Sequence, residues 1–130
     1  KGAFLNDRRR LRGAARKTLA DAVVVTGIPH RGRPGHPRCM QEMSTVMMEV
    51  AGLRRSGSAA LDLAYVAAGR YDGYWERGLK PWDLAAGIVL VREAGGLVTD
   101  VNGGDKALAT GDVLAGNSAI TKALLPLLAH

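Results

Sequence analysis

The 130-residue chain has one cysteine, Cys39, so it can close no internal disulfide, and no second cysteine completes a thiolate zinc pattern. No apolar run approaches the roughly 20 residues needed to span a bilayer, and no basic stretch followed by an apolar segment and a small-residue cleavage site marks a secretory leader. An initiator methionine is also lacking. The sequence starts at Lys1 in a stretch that reads as the first arm of a hairpin. These absences predict a soluble, cytoplasmic, single-domain chain that is a fragment or a processed product.

Aromatic residues are few, one Phe, two Trp and three Tyr, and none is interleaved with the basic clusters. The formal charge of +6 raises the question of nucleic acid, because clustered Lys and Arg attract phosphate backbones. Much of that excess sits in Arg8, Arg9, Arg10, Arg12, Arg16 and Lys17, with Arg31, Arg33 and Arg38 in a following loop. Without aromatics for base stacking, the pattern favours a solvated or substrate-attracting face over a nucleic-acid groove.

What is present alternates between strand and helix patterns. Residues 2–11 read as a hairpin around Asn6 and Asp7. Residues 22–28 are β-branched and continuous, as in a strand buried on both faces, and residues 29–37, with three prolines, form a loop. Met40, Met43, Met47 and Val50 predict one packed stripe on a helix over 38–53. A second helix opens at Ser56-Gly57-Ser58 and stops near Gly69, and its alanines imply close packing. Residues 71–76 read as a strand, Pro81 starts a helix through Ala94, and strands follow at 97–101 and 112–116. A final helix from Ser118 turns Leu124, Leu125 and Leu128 inward. The order predicts a layered α/β or α+β domain.

Two helix starts are candidate sites, since free backbone N–H groups and the positive dipole end attract anions there. At Gly57-Ser58-Ala59 the small residues leave the amides open to a ligand oxygen, or simply cap a closely packed helix. Asp83, behind Pro81 and Trp82, either stabilises the helix dipole or, with Glu76 a short loop upstream, supplies oxygen to a hard cation such as Mg²⁺. Two carboxylates do not complete such a site. His30, Arg33 and His36 in the proline-rich loop are open to a substrate role and equally to ordinary loop polarity.

The run Trp82-Asp83-Leu84-Ala85-Ala86-Gly87, then Glu93-Ala94-Gly95-Gly96 and the strand to Asp100, resembles the C-terminal signature of the inositol monophosphatase family. The likeness extends upstream through Tyr74-Trp75-Glu76-Arg77-Gly78 and Gly57-Ser58-Ala59-Ala60-Leu61-Asp62 to Gly2-Ala3-Phe4-Leu5-Asn6, covering nearly the whole chain. The resemblance implies the C-terminal part of an αβαβα sandwich and Mg²⁺-dependent, lithium-sensitive hydrolysis of a phosphorylated polyol or similar monoester by a homodimer. By motif, Asp83 is similar to a metal-binding aspartate and Glu76 to the acid that accepts a substrate hydroxyl. Ala59 is similar to a residue whose backbone amide meets the substrate, with Gly57 and Ser58 lining the same wall. For Glu93 a packing or polar-contact role is expected.

The family's remaining metal ligands come from an upstream Glu-Glu segment and an Asp-Pro-x-Asp-Gly-Thr motif, and neither occurs here. The expectation is therefore a C-terminal half, inactive alone, of an inositol-1-phosphate phosphatase. Histidinol phosphate, nucleotide 3′-phosphates and fructose bisphosphate are alternative substrates within the superfamily. From another class, a basic binding or assembly module that kept the fold without the chemistry is the competing reading.

Overall fold

The computed structural model describes residues 4–5, 9–10 and 12–128. Short strands β1 (Phe4–Leu5) and β2 (Arg9–Arg10) pair antiparallel, as the hairpin reading requires, while its turn at Asn6 and Asp7 lies outside the described residues. A five-stranded sheet organises the rest: β3 (Val23–Thr26), β4 (Gly52–Arg55), β5 (Gly73–Glu76), β6 (Leu97–Thr99) and β7 (Val113–Gly116), in the order β4-β3-β5-β7-β6. β3 runs parallel to both neighbours, and β7 is antiparallel to β5 and β6.

Helices cover both faces. Helices α2 (Ala59–Ala67), α3 (Pro81–Glu93) and the short α4 (Ala107–Thr110) pack on one side through Leu63, Val66, Leu84 and Ile88 against Val25, Tyr74 and Ala115. On the other, α1 (His36–Met47) and α5 (described from Ser118 to Leu128) close over Val24, Trp75 and Leu114 with Val46, Ile120 and Leu124. Adjacent residues such as Val24 and Val25, or Tyr74 and Trp75, thus serve opposite cores, which is why these strands read as continuous apolar runs rather than alternating ones. The architecture is the expected layered α/β domain.

The small residues of α2 and α3 allow the close approach expected of them. A methyl group at Gly87 would lie 2.5 Å from Leu63 Cδ1 and 2.6 Å from its Cβ, so the two helices meet where Gly87 has no side chain.

One expected element is corrected. The helix predicted over 38–53 spans His36–Met47, and the chain then turns back into the sheet as β4. Its buried face is Cys39, Glu42 and Val46, with Met43 half-buried beside them, whereas Met40 and Met47 are 64% and 56% exposed. The same three- and four-residue period therefore runs one position away from most of the methionine stripe. The cause is Glu42, a charged side chain at a core position that an apolar pattern counts as surface. Packing explains Met43 but not Met40 or Met47.

Candidate active site

Because β3, β4 and β5 are parallel, their carboxyl ends, at Thr26, Arg55 and Glu76, share one edge of the sheet. Open α/β sheets take ligands at such an edge. Three connections leave it: residues 27–35 lead into α1, 56–58 into α2 and 77–80 into α3. A cleft of about 340 Å³ opens between the first and third, and Glu76 and Asp83 both stand on its wall, with His30, Arg33, Arg38 and Lys80 around them. A smaller cleft of about 140 Å³ lies near the other end of β5. Its one acid, Asp72, is already engaged by the Val23 N–H (2.7 Å) and by Arg16 (3.4 Å).

Glu76 is the last residue of β5, and Tyr74, two positions earlier on the same face, donates a 2.6 Å hydrogen bond from its phenol to Glu76 Oε1. On the opposite side, the Glu76 carboxyl occupies the space that a side chain at Gly27 would fill, so glycine at the end of β3 makes room for the acid. Burial raises the Glu76 carboxyl above its ordinary range; the Tyr74 bond partly reverses this, and the charges of Asp62 and Asp83 push it up further. Burial likewise pushes the Tyr74 phenol well up, with the Glu76 charge adding to it, so the phenol remains a donor.

Asp83 is the third residue of α3. The Lys80 N–H donates to its Oδ2 at 3.0 Å, while the Asp83 N–H donates to the Lys80 carbonyl at 2.9 Å. The dipole-capping role is thus realised, and Oδ1 has no hydrogen bond among the described residues. Glu76 and Asp83 have the oxygen chemistry a hard cation takes. Among the described residues, however, no group of three or more His, Cys, Asp or Glu side chains is arranged to hold a metal. A cation at Asp83 would draw its other ligands from elsewhere.

At the second helix start, Ser58 caps α2: its hydroxyl accepts the Leu61 N–H at 3.2 Å, and its own N–H donates to Ser56 Oγ at 3.3 Å. Ala59 packs half-buried on the core, and a side chain at Gly57 would meet nothing within 4 Å, so the backbone there is open to approach. None of these three lines the cleft that Glu76 and Asp83 share. His30 and Arg33 do line it. His36 instead donates from Nε2 to the Pro29 carbonyl at 2.8 Å, which pins the loop. Glu93 is exposed at the last position of α3.

Several residues beside these sites carry no flag in sequence patterning. Glu42 is buried on the α1 side, where Arg77 gives its Oε2 two hydrogen bonds (2.9 Å from Nε and 2.7 Å from Nη2) and the Trp75 indole approaches Oε1 at 3.3 Å. This pair fixes the 77–80 connection that leads to Asp83. Tyr74 is legible only through the period of two that puts it on the face of Glu76. Asp62, in α2, is buried, and its carboxyl is raised by burial, with partial relief from the nearby Ser56 hydroxyl.

The model of the inositol monophosphatase family matches residues 1–130, and the chain belongs to that family. It is 62% identical over 123 residues to the inositol-1-monophosphatase of Rhizobium meliloti (strain 1021), covering 95% of this chain and 46% of that protein. It is 48% identical over 124 residues to the Nus factor SuhB of Escherichia coli (strain K12), again 95% of this chain and 46% of that protein. Among solved structures, the extragenic suppressor protein suhB from Bartonella henselae superposes with a TM-score of 0.94 at 53% identity, over 99% of this chain and 50% of that one. The chain therefore spans about half the length of these relatives.

Proposed function

Since the chain is a member of this family, we propose that it is the C-terminal half of a Mg²⁺-dependent phosphomonoesterase, with inositol 1-phosphate as substrate, and that it is inactive alone. The observation that carries this reading is the pairing of Glu76 and Asp83 on one cleft at the carboxyl edge of parallel strands, in a chain whose described residues lack a third ligand. Asp83 would hold the metal, its carboxylate offering an oxygen ligand suited to a hard cation. Glu76, oriented by Tyr74 and seated against Gly27, accepts a hydroxyl of the substrate. The backbone at Gly57, Ser58 and Ala59 meets the substrate from the start of α2, where the backbone at Gly57 is open to an oxygen-rich ligand. When bound, Mg²⁺ lowers the pKa of a water and neutralises charge on the leaving oxygen. The upstream Glu-Glu and Asp-Pro-x-Asp-Gly-Thr segments supply the remaining ligands and the group that orients the water.

In this reading the intact protein is cytoplasmic, lithium-sensitive and a homodimer. Among the described residues no helix is long and apolar enough to cross a membrane, and the exposed Met40, Met47 and Met48 offer apolar surface for a second copy. Phosphate release with Mg²⁺ from a panel of inositol 1-phosphate, histidinol phosphate and nucleotide 3′-phosphates tests the assignment. The full-length protein should prefer inositol 1-phosphate and this chain should release none. Preference for histidinol phosphate would overturn the substrate.

A basic binding module is the second reading, supported by the +6 charge and by the relatives that carry the name Nus factor SuhB. Salt-dependent retention on nucleic acid, lost when Arg8, Arg9 and Arg10 are replaced, is its test.

A further inference from the structure

The antiparallel register of β5 with β7 pairs Glu76 with Val113, so the next residue on each strand, Arg77 and Asp112, meet just beyond the sheet edge. Both carboxylate oxygens of Asp112 are used there. Oδ1 accepts the Gly78 N–H at 3.0 Å, and Oδ2 lies 3.6 Å from Arg77 Nη1. The Asp112 N–H in turn donates to the Thr110 hydroxyl at 3.1 Å, which fixes the turn that carries the carboxylate. One residue earlier, the Gly111 carbonyl accepts the Leu79 N–H at 2.9 Å. Gly111 has a φ of 76°, and a side chain on it would run into the Leu79 carbonyl, so the turn before β7 and the 77–80 connection interlock backbone to backbone.

That connection carries the chain from Glu76, at the end of β5, to α3, whose third residue is Asp83. All four of its residues are held: Arg77 by Glu42 at 2.7 Å, Gly78 by Asp112, Leu79 by Gly111, and Lys80 by its reciprocal bonds with Asp83. The Asp112 carboxylate stands apart from the other anchors. Its side chain is 29% exposed and its bond to Gly78 is open to water, so it adds little to the stability of the fold. Nor is Asp112 on the wall of the cleft. What its two bonds do is fix the path between two acids that are.

We propose that Asp112 is a positioning residue for the Glu76–Asp83 pair, its carboxylate gripping Gly78 and Arg77 so that the 77–80 connection delivers Asp83 to one fixed place opposite Glu76. The proposal rests on the reading of Asp83 as a metal ligand. Asp112 itself touches neither substrate nor metal. It acts through the backbone that carries the ligand, where a small displacement is costly to a site that must match a metal's geometry.

The test uses the full-length protein with Asp112→Ala and with Asp112→Asn. It reads the Mg²⁺ concentration for half-activation of phosphate release, the thermal midpoint, and amide hydrogen exchange at Gly78 and Leu79 in the metal-free protein. Asp112→Ala should raise the Mg²⁺ requirement roughly tenfold. Its two amides should exchange faster, while the thermal midpoint falls by no more than about 4 °C. Asp112→Asn should recover most of the Mg²⁺ response, since its amide oxygen still accepts the Gly78 N–H. An alanine variant with the parent's Mg²⁺ response or the parent's exchange at Gly78 overturns the proposal, as does an asparagine variant no better than alanine. An alanine variant that fails to fold overturns it too, because the bond would then hold the fold rather than the site. A parent that releases no phosphate defeats the phosphatase reading alone; faster exchange in Asp112→Ala then still supports the grip on the connection, and unchanged exchange still overturns it.

Discussion

The Tyr74 phenol and the Glu76 carboxylate, two residues apart on one face of β5, are joined by a 2.6 Å hydrogen bond, with Tyr74 in the core and Glu76 on the wall of the cleft. Tyr74→Phe removes the donor that holds the Glu76 carboxyl down against burial. In the full-length protein the acid limb of kcat/KM should therefore move to higher pH, because a charge-assisted bond to the ionised carboxylate is lost. An acid limb that stays in place would mean that Glu76 does not meet the substrate.

Arg77 neutralises the buried Glu42 and also donates to the Leu128 carbonyl at 3.1 Å, tying β5 to α1 and α5. Arg77→Met should destabilise the fold by roughly 2–4 kcal/mol in urea unfolding, toward the low side for a broken buried pair because Arg77 keeps some water contact. Glu42→Gln in that background should recover part of the loss, because the neutral amide is cheaper to bury.

Glu42 also shows where the sequence is opaque. Strands β3, β5 and β7 and helix α3 are legible because apolar continuity and the Pro81 start are local signals. The inward face of α1 is not, since a buried charge is recognisable only once Arg77, 35 residues away, is seen beside it. Strand β4, with Arg54 and Arg55 exposed at the sheet edge, carries half a strand's apolar pattern and reads as the tail of a helix. Glu76 and Asp83 stand out by type and spacing, but Gly27 owes its place to a contact with Glu76 across the sheet edge that no run of residues encodes.

The contact of α2 with α3 at Gly87 sets the spacing of the two helix starts. Gly87→Ala would ordinarily favour a helix by about 1 kcal/mol. Here overpacking against Leu63 costs about 1–3 kcal/mol, so the net effect should be a loss of stability. A higher thermal midpoint for Gly87→Ala would show that the helices can part freely.

Asp100 follows β6 and accepts the N–H groups of Asn102 (2.8 Å), Gly104 (3.0 Å) and Lys106 (3.2 Å). Burial alone would raise its carboxyl, but these bonds and the Lys106 charge outweigh burial and hold it below the ordinary value. A depressed folded value means that stability from Asp100 is present above about pH 4, the unfolded value, and is lost as pH falls through the lower folded one. Acid unfolding followed by circular dichroism should flatten in that window for Asp100→Asn. An unchanged acid limb would contradict the assignment.

Asp83 bears the central claim, because it is the one residue of this chain read as a metal ligand. The deciding measurement is the Mg²⁺ dependence of phosphate release from inositol 1-phosphate by the full-length protein and by its Asp83→Asn variant. The side-chain amide introduced by that substitution can still accept the Lys80 N–H, so the helix cap survives while a charged metal ligand is lost. The account predicts at least a tenfold fall in kcat or a comparable rise in the Mg²⁺ needed, with a thermal midpoint in the absence of metal lowered no further than the loss of about 0.3–1 kcal/mol of helix-dipole stabilisation requires. A variant with the parent's rate and Mg²⁺ response would contradict it.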